Sequence, residues 1–572
     1  MLSKCVLITL ACASVCRAED VLQRIPRRAL GFVVIRNLDA VGRKVEKLSK
    51  PFGNSTPNPV VLARVATGLG IGLKLDGDYT LVFLPGAAAN EMLPLVILPV
   101  ADYELFSRSV QADPSGEICR IKLLGEEILA AQVGDYAMLM NVEHRRLLEQ
   151  VVAQPEASNP SFERLSDWFA EQDVAAALTP AGLMQLSRWR PPRSRRMIFG
   201  TGTSEQPSVL AEWLPQIATP SIRNWLRANA EIATVGISVD DDLNVRVAER
   251  VLLKSRSQFA SSKIEVRSNR PPSFGLSSQP YVVAGGGAIP AGWGRLAAGY
   301  LLQMEKEQAS MTGLEKVSDE LWAKEGRAFR LLLEDVTACS IVMLPGKKGE
   351  PLVGNLLGIV TVDRVSDYLE SLDEVVETWT EMTAASTSDI KPTIELERDT
   401  IDGQARVQLV VDVASASRDP NVPEFNWMLE AAFGPEGKFV GKFWQIDESR
   451  FLFGLATDEQ MAAVVARVKA GDAEKPETSD SRQTLAMLEQ GAALKLLVRP
   501  QGCVNWSLRV LNEFLGIGLS KESEVALPAM PDSPPLGMTA TYENRILKFD
   551  VACPASTWSM LGAYVAKLRA PQ

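Results

Sequence analysis

The chain has 572 residues, 46% hydrophobic and 23% charged, which is enough length and apolar content to bury more than one core. Sixty Lys and Arg stand against 70 Asp and Glu, a formal charge of -10, so no overall basic field favours a nucleic-acid backbone or an anionic lipid surface. A single histidine, His144, removes most histidine-dependent chemistry.

Lys4, the run Val6 to Val15 and the small residues Cys16 and Ala18 predict a secretory signal over residues 1–18, cleaved before Glu19. The apolar run is too short to span a bilayer as a helix, which favours a leader over a retained anchor. A lipid-modified Cys12 or Cys16 fits less well, because Leu10-Ala11 and Ser14-Val15 are a poor lipoprotein cleavage box. Export to the periplasm or the extracellular space is therefore expected. Cleavage removes Lys4 and Arg17 and no acid, leaving 58 bases against 70 acids, a net charge of -12. Four cysteines remain, Cys119, Cys339, Cys503 and Cys553. Pairing Cys503 with Cys553 would close a loop contributing ~4 kcal/mol by chain entropy; four buried free thiols are the alternative.

After an N-terminal segment, 19–29, Gly31 to Ile35 reads as a strand followed by a helical stretch. Leu81 to Val100 imitates a membrane span with Glu91 as its only charge, but Pro85, Gly86, Asn90, Pro94 and Pro99 divide it into two short strands, so no transmembrane helix is expected in the mature chain. Gly68 to Gly72 lacks the third glycine of a dinucleotide fingerprint and is expected to be a flexible turn, as is Gly285 to Gly287, where Pro290 replaces that glycine. No cofactor is implied. Asn141 is a candidate helix N-cap, placing His144 in the first turn of a polar surface helix; no G-x-S-x-G elbow or H-E-x-x-H accompanies it.

Arg188, Trp189, Arg190, Arg193, Arg195 and Arg196 form the most unusual stretch, basic in an acidic chain and broken by Pro191-Pro192. Such a run can grip an acidic envelope protein or an anionic polymer through bidentate guanidinium contacts, or act as a solubilising loop. Asp240-Asp241-Asp242 lacks the spacing of a calcium loop and reads as a hairpin tip. The tryptophans are scattered, and Trp168 and Trp189 read as core edge.

The second half repeats the first in order. Gly31 to Ile35 is matched by Pro280 to Ala284, and Leu84-Pro85-Gly86 by Leu344-Pro345-Gly346. The strand-to-helix passage Val96 to Val110 is matched by Ile359 to Val376. Ala131-Gln132-Val133 is matched by Trp444-Gln445-Ile446, and Pro180-Ala181-Gly182 by Pro500-Gln501-Gly502. Both halves end in two strands about a polar turn. Tandem duplication follows, with one unit at 30–262, a linker at 263–274 overlapping the Ser-, Pro- and Gly-rich stretch Ser268 to Ser278, and a second unit at 275–572. The fold class is α+β: two tandem, similar domains with mainly antiparallel sheets, helices covering one face.

The leader, the Leu-Pro-Gly strand ends, the hairpin Ala131 to Tyr136 and the duplicated unit together resemble large exported bacterial proteins of unknown function. That resemblance implies architecture and carries over no catalytic, cofactor or metal residue. The expectation is an exported, non-enzymatic binding or scaffolding protein of the periplasm or cell envelope, working through sheet faces or the groove between the units. A hydrolase of sugars or peptides using two carboxylates is the alternative.

Overall fold

A computed structural model describes residues 21–52, 61, 69–88, 91–110, 117–123, 126–153, 160–185, 220–257, 275–276, 280–347, 350–352, 354–387, 391–401, 403–413, 431–434, 436–473, 478–515 and 528–569. The leader, the 263–274 linker, Gly68 and the run Arg188 to Arg196 with Trp189 lie outside the described residues. The chain divides into two compact units, Met1–Ser261 with Asn544–Leu547, and Ser262–Glu543 with Lys548–Gln572. The architecture is α+β with antiparallel sheet.

In the first unit the strands are β1 (Gly31–Ile35), β2 (Leu69–Gly72), β3 (Tyr79–Pro85), β4 (Met92–Pro99), β5 (Ile118–Leu123), β6 (Glu126–Val133), β7 (Tyr136–Asn141), β8 (Val174–Leu178), β9 (Ala230–Val239) and β10 (Val245–Leu253). Every pairing in the sheet is antiparallel, in the order β10-β9-β8-β1-β3-β4-β7-β6-β5. Side chains alternate between faces, and one face buries Phe32, Val82, Leu95 and Met138 against Leu148, Phe162, Leu165 and Phe169. The Phe32 ring meets Phe162 edge-on at 5.2 Å and Phe169 at 5.6 Å. Of the helices, α1 (Leu38–Ser49) is capped by Asn37, whose side chain accepts from the Ala40 amide. The short α2 (Tyr103–Ser109) is capped by Asp102 accepting from Leu105. It drives Phe106 into the opposite sheet face, among Leu98, Ile121, Ile128 and Leu139. Burying that ring stabilises by about 2–3 kcal/mol. Further along, α3 (Arg145–Val152) follows a single turn capped by Asn141, and α4 (Pro180–Gln185) follows β8.

In the second unit the strands are β11 (Val283–Ala288), β12 (Val336–Met343), β13 (Leu356–Val362), β14 (Thr393–Ile401), β15 (Gln404–Asp412), β16 (Lys438–Gln445), β17 (Arg450–Leu455), β18 (Leu494–Val498), β19 (Leu536–Glu543) and, from Lys548 on, β20 (Ile546–Cys553). The order is β19-β18-β11-β12-β13-β17-β16-β15-β14, again all antiparallel. β20 follows β19 through Asn544 and Arg545, both at positive φ as a two-residue hairpin turn requires. The helices include α5 (Trp293–Thr312), α6 (Asp319–Leu333), α7 (Val365–Ala385), α8 (Asp458–Lys469), started by a capping box between Thr457 and Gln460, and α9 (Pro500–Leu515). One face packs Ala284, Val342, Leu357, Leu452 and Leu497 on Met461 and Val464 of α8. The other packs Val407, Leu409, Phe443 and Phe451 on Val365, Leu369 and Leu372 of α7.

Three sequence expectations change. Helices do not cover a single face: in the first unit the strands from β4 to β5, and in the second β13, β17 and β16, have a core on both sides. The glycine clusters are strand, not flexible turn. A Cβ on Gly286 would lie 2.1 Å from the Cys339 carbonyl oxygen, and one on Gly287 1.8 Å from that of Ala493, so glycine is what lets β11 approach both neighbours; without β-forming side chains the run reads as a turn. For the same reason the opening strand of the second unit starts at Val283 instead of Pro280, and Val283 occupies the register position of Gly31. Gly31 stands opposite Phe83 and Leu178, as Val283 stands opposite Met343 and Val498.

Candidate binding surface

At the β10 end of the first sheet, β1, β8 and β9 face the core on one side and carry half-buried or exposed side chains on the other. That other face is made of rows, each running across the sheet at one register position. Leu81, Val33, Ala176 and Val235 stand side by side on β3, β1, β8 and β9, and so do Tyr79, Ile35, Val174 and Ile237. Alternation puts these residues opposite the buried set Phe32, Val34, Val82, Ala175, Ala177, Ile232 and Thr234. Val235 is 40% exposed and Ile237 42%, large values for β-branched side chains inside a sheet. On β10, Glu249 lies beside Val235 and Val247 beside Ile237. Desolvation pushes the Glu249 carboxyl above its usual range.

The second unit carries apolar rows too, the first at the register positions of the Leu81 to Val235 row and the second at those of Phe83, Gly31, Leu178 and Ala233. Ile341, Gly285, Leu496 and Met538 form one across β12, β11, β18 and β19; Met343, Val283, Val498 and Leu536 form another. Met538 is 38% exposed, with Leu494 at 37% and Phe549 of β20 at 41%. Scattered apolar side chains on a surface mean little, whereas rows of them on adjacent strands make a contiguous patch.

Behind these rows the helices are held by close backbone contacts. A Cβ on Gly182, the third residue of α4, would lie 1.8 Å from the Leu30 carbonyl oxygen, and one on Gly502, the third residue of α9, 2.1 Å from that of Tyr281. Thr179, just before α4, donates its hydroxyl to the Ala29 carbonyl at 2.5 Å. In the corresponding place Arg499 lies over the Tyr281 ring at 5.0 Å and pairs with Asp532 at 3.0 Å.

The other residues singled out by the sequence are dispersed. His144 is half-buried between the Asn141-capped turn and α3 and joins no ligand set; no group of three metal-binding side chains occurs among the described residues. Asp240 accepts from the amide and side chain of Asn244 at 2.8 and 2.9 Å, the internal bonding of a hairpin tip. Cys503 and Cys553 are free thiols, not a disulfide; burial pushes Cys553 up to about 11 and raises Cys503 as well. Trp168 is buried beside Phe169. No helix among the described residues is long and apolar enough to cross a membrane.

Sequence reading missed a carboxyl pair, Glu305 on α5 and Glu325 on α6. Glu325 is 2% exposed and pushed up to about 7, chiefly by burial and then by repulsion from Glu305, against a bond from the Trp379 indole. The signal available was an acid at a core position of α6, between Trp322 and Ala328 on the buried stripe. No family model, no curated protein and no solved structure matches this chain.

Proposed function

We propose that this chain is an exported, non-enzymatic binding protein, built from two copies of one α+β module, that holds an apolar or amphipathic partner on the open sheet face of each copy. The observation that carries this reading is the row Leu81, Val33, Ala176 and Val235, whose register positions are taken in the second unit by Ile341, Gly285, Leu496 and Met538, with Val235 40% and Met538 38% exposed. Exposed patches of this kind normally mark a contact surface, since leaving them wet costs roughly 25 cal/mol per Å² that a partner would recover. The duplication reading is supported by the shared strand order and by the paired close contacts at Gly182 and Gly502. Export is supported by the leader at residues 1–18, and the envelope is where the partner would be met.

The test is binding of a fluorescent anilinonaphthalene sulfonate to the mature chain. The native protein should enhance its emission, and Val235→Asp with Ile237→Asp should remove part of that signal, and Met538→Asp a further part, with the melting transition retained. No enhancement by the native protein, or an unchanged signal in all three substitutions together, would refute the reading. N-terminal sequencing of protein recovered from the exported fraction should begin at Glu19.

A further inference from the structure

In the second unit α5 packs chiefly on α6, and α6 in turn on α7. Leu302 and Ala309 of α5 meet Trp322 of α6 and Met382 of α7 in a small apolar cluster. The seam is close: a Cβ on Gly326 would lie 2.9 Å from the Leu302 side chain. One turn beyond Leu302 comes Glu305, and beside Gly326 comes Glu325. Both enter this seam, and each has one carboxyl oxygen, Oε2, buried without a hydrogen-bond partner. The other oxygen of Glu325 accepts from Trp379 Nε1 of α7 at 3.0 Å.

The charges nearby are committed elsewhere. Lys324 of α6 pairs with Glu381 of α7 at 2.7 Å, and Arg327 of α6 lies 4.0 Å from Glu374 of α7. Lys306 of α5 lies over the Trp322 ring at 5.4 Å, and Glu307 accepts from Gln303 at 3.0 Å. Neither Glu305 nor Glu325 has an ion pair among the described residues. Two carboxylates cannot both ionise cheaply in such a place, because each loses its water and repels the other. One added proton removes the repulsion and supplies a donor.

We propose that Glu305 and Glu325 form a proton-operated latch: with a proton between them the α5–α6 seam is closed, and without it α5 opens away from α6. The ends of α5 suit such a movement. Gly292 before it and Gly313 after it both sit in the left-handed region, φ 81° and 73°, where glycine turns the chain without steric cost. Burial and the mutual repulsion hold Glu325 at about 7, so the latch works in the neutral range.

Hydrogen exchange of the mature chain tests this between about pH 4.5 and 9, with intrinsic exchange rates divided out. The closed seam keeps a proton that the open seam loses, so protection of α5 amides should fall about tenfold per pH unit from about 4.5 to about 7 and then level off. Glu325→Gln should abolish that slope. Glu305→Gln should keep it but move the plateau to lower pH, because Glu325 loses its like-charged neighbour. A native protein with no slope, or a Glu325→Gln protein with the native slope, would overturn the latch. Should Glu325→Gln not fold, the infrared spectrum of the native protein decides: a protonated-carboxyl stretch that titrates away near neutral pH supports the proposal, and its absence at about pH 5.5 overturns it.

Discussion

Between β1 and β3 the first unit places the 12-residue helix α1 and the short strand β2, whereas between β11 and β12 the second places α5 and α6, of 20 and 15 residues. The helix after the next strand grows as well, from 7 residues in α2 to 21 in α7. Strand pairing is the same in both: Gly31 and Val283 take the same place between their neighbours, and Leu178 and Val498 each lead on to β9 or β19. A strand position is tied by hydrogen bonds on two sides, and shifting it by one residue turns every side chain over. A connection carries no such tie, and lengthening it costs little in loop entropy. The elements that differ are therefore where differences in behaviour belong, and the latch lies in one of them.

The core positions sharpen the contrast. Phe32 is 1% exposed and fills the space under Phe162 and Phe169, while the residue at its register position in the second unit is Ala284, also fully buried. Phe32→Ala should therefore cost about 4 kcal/mol, read as a lower urea midpoint for the first unit with the second unmoved. Ala284→Phe should cost ~1–3 kcal/mol by overpacking. If Phe32→Ala costs nothing, the two positions are interchangeable and the register comparison fails.

Gly182 and Gly502 offer a paired test at the next level. Alanine at either would drive a methyl into a backbone carbonyl that cannot rotate away, and each substitution should lose about 2 kcal/mol in its own unit by denaturant unfolding. Similar losses would support a common packing rule; a loss in one unit alone would separate them.

Acidity should divide the units in a different way. Glu325 binds its proton at about 7 in the folded chain against an ordinary 4.5, so its contribution to stability is complete below about 4.5 and is lost as pH rises to about 7. Calorimetry from acid to alkaline buffer should show the second unit's transition falling over that window, and Glu325→Gln should flatten it. The smallest effect is expected on the open faces. Val235→Asp and Met538→Asp should each change stability by no more than about 0.5 kcal/mol in urea unfolding, because both side chains are already in contact with water.

Much of the strand framework is legible in the amino-acid order. Leu84-Pro85-Gly86 and Leu344-Pro345-Gly346 mark strand ends, because proline and glycine interrupt a ladder wherever they fall. Gln132 and Gln445 sit at matching places in their hairpins, and Asn141 caps the turn before α3. The glycines of β11 are misread, because their role is to remove a side chain, which leaves no positive pattern. The open rows are hidden for another reason: central strands such as β1 and β8 are apolar on both faces, so alternation cannot say which face stays wet. The Glu305–Glu325 pair depends on which helix lies against which, a tertiary fact with no local signature.

The outermost strands β5 and β14 each pair on one side among the described residues, leaving a row of backbone donors and acceptors at the rim of the sheet. Both are studded with charge: Arg120 and Lys122 on β5, and Glu395, Glu397, Arg398 and Asp399 on β14. A foreign strand approaching either rim must strip water from those groups before it gains a single ladder bond, which guards against fibre growth. Replacing the two β14 glutamates with valine should weaken that guard, read as increased light scattering from the concentrated protein.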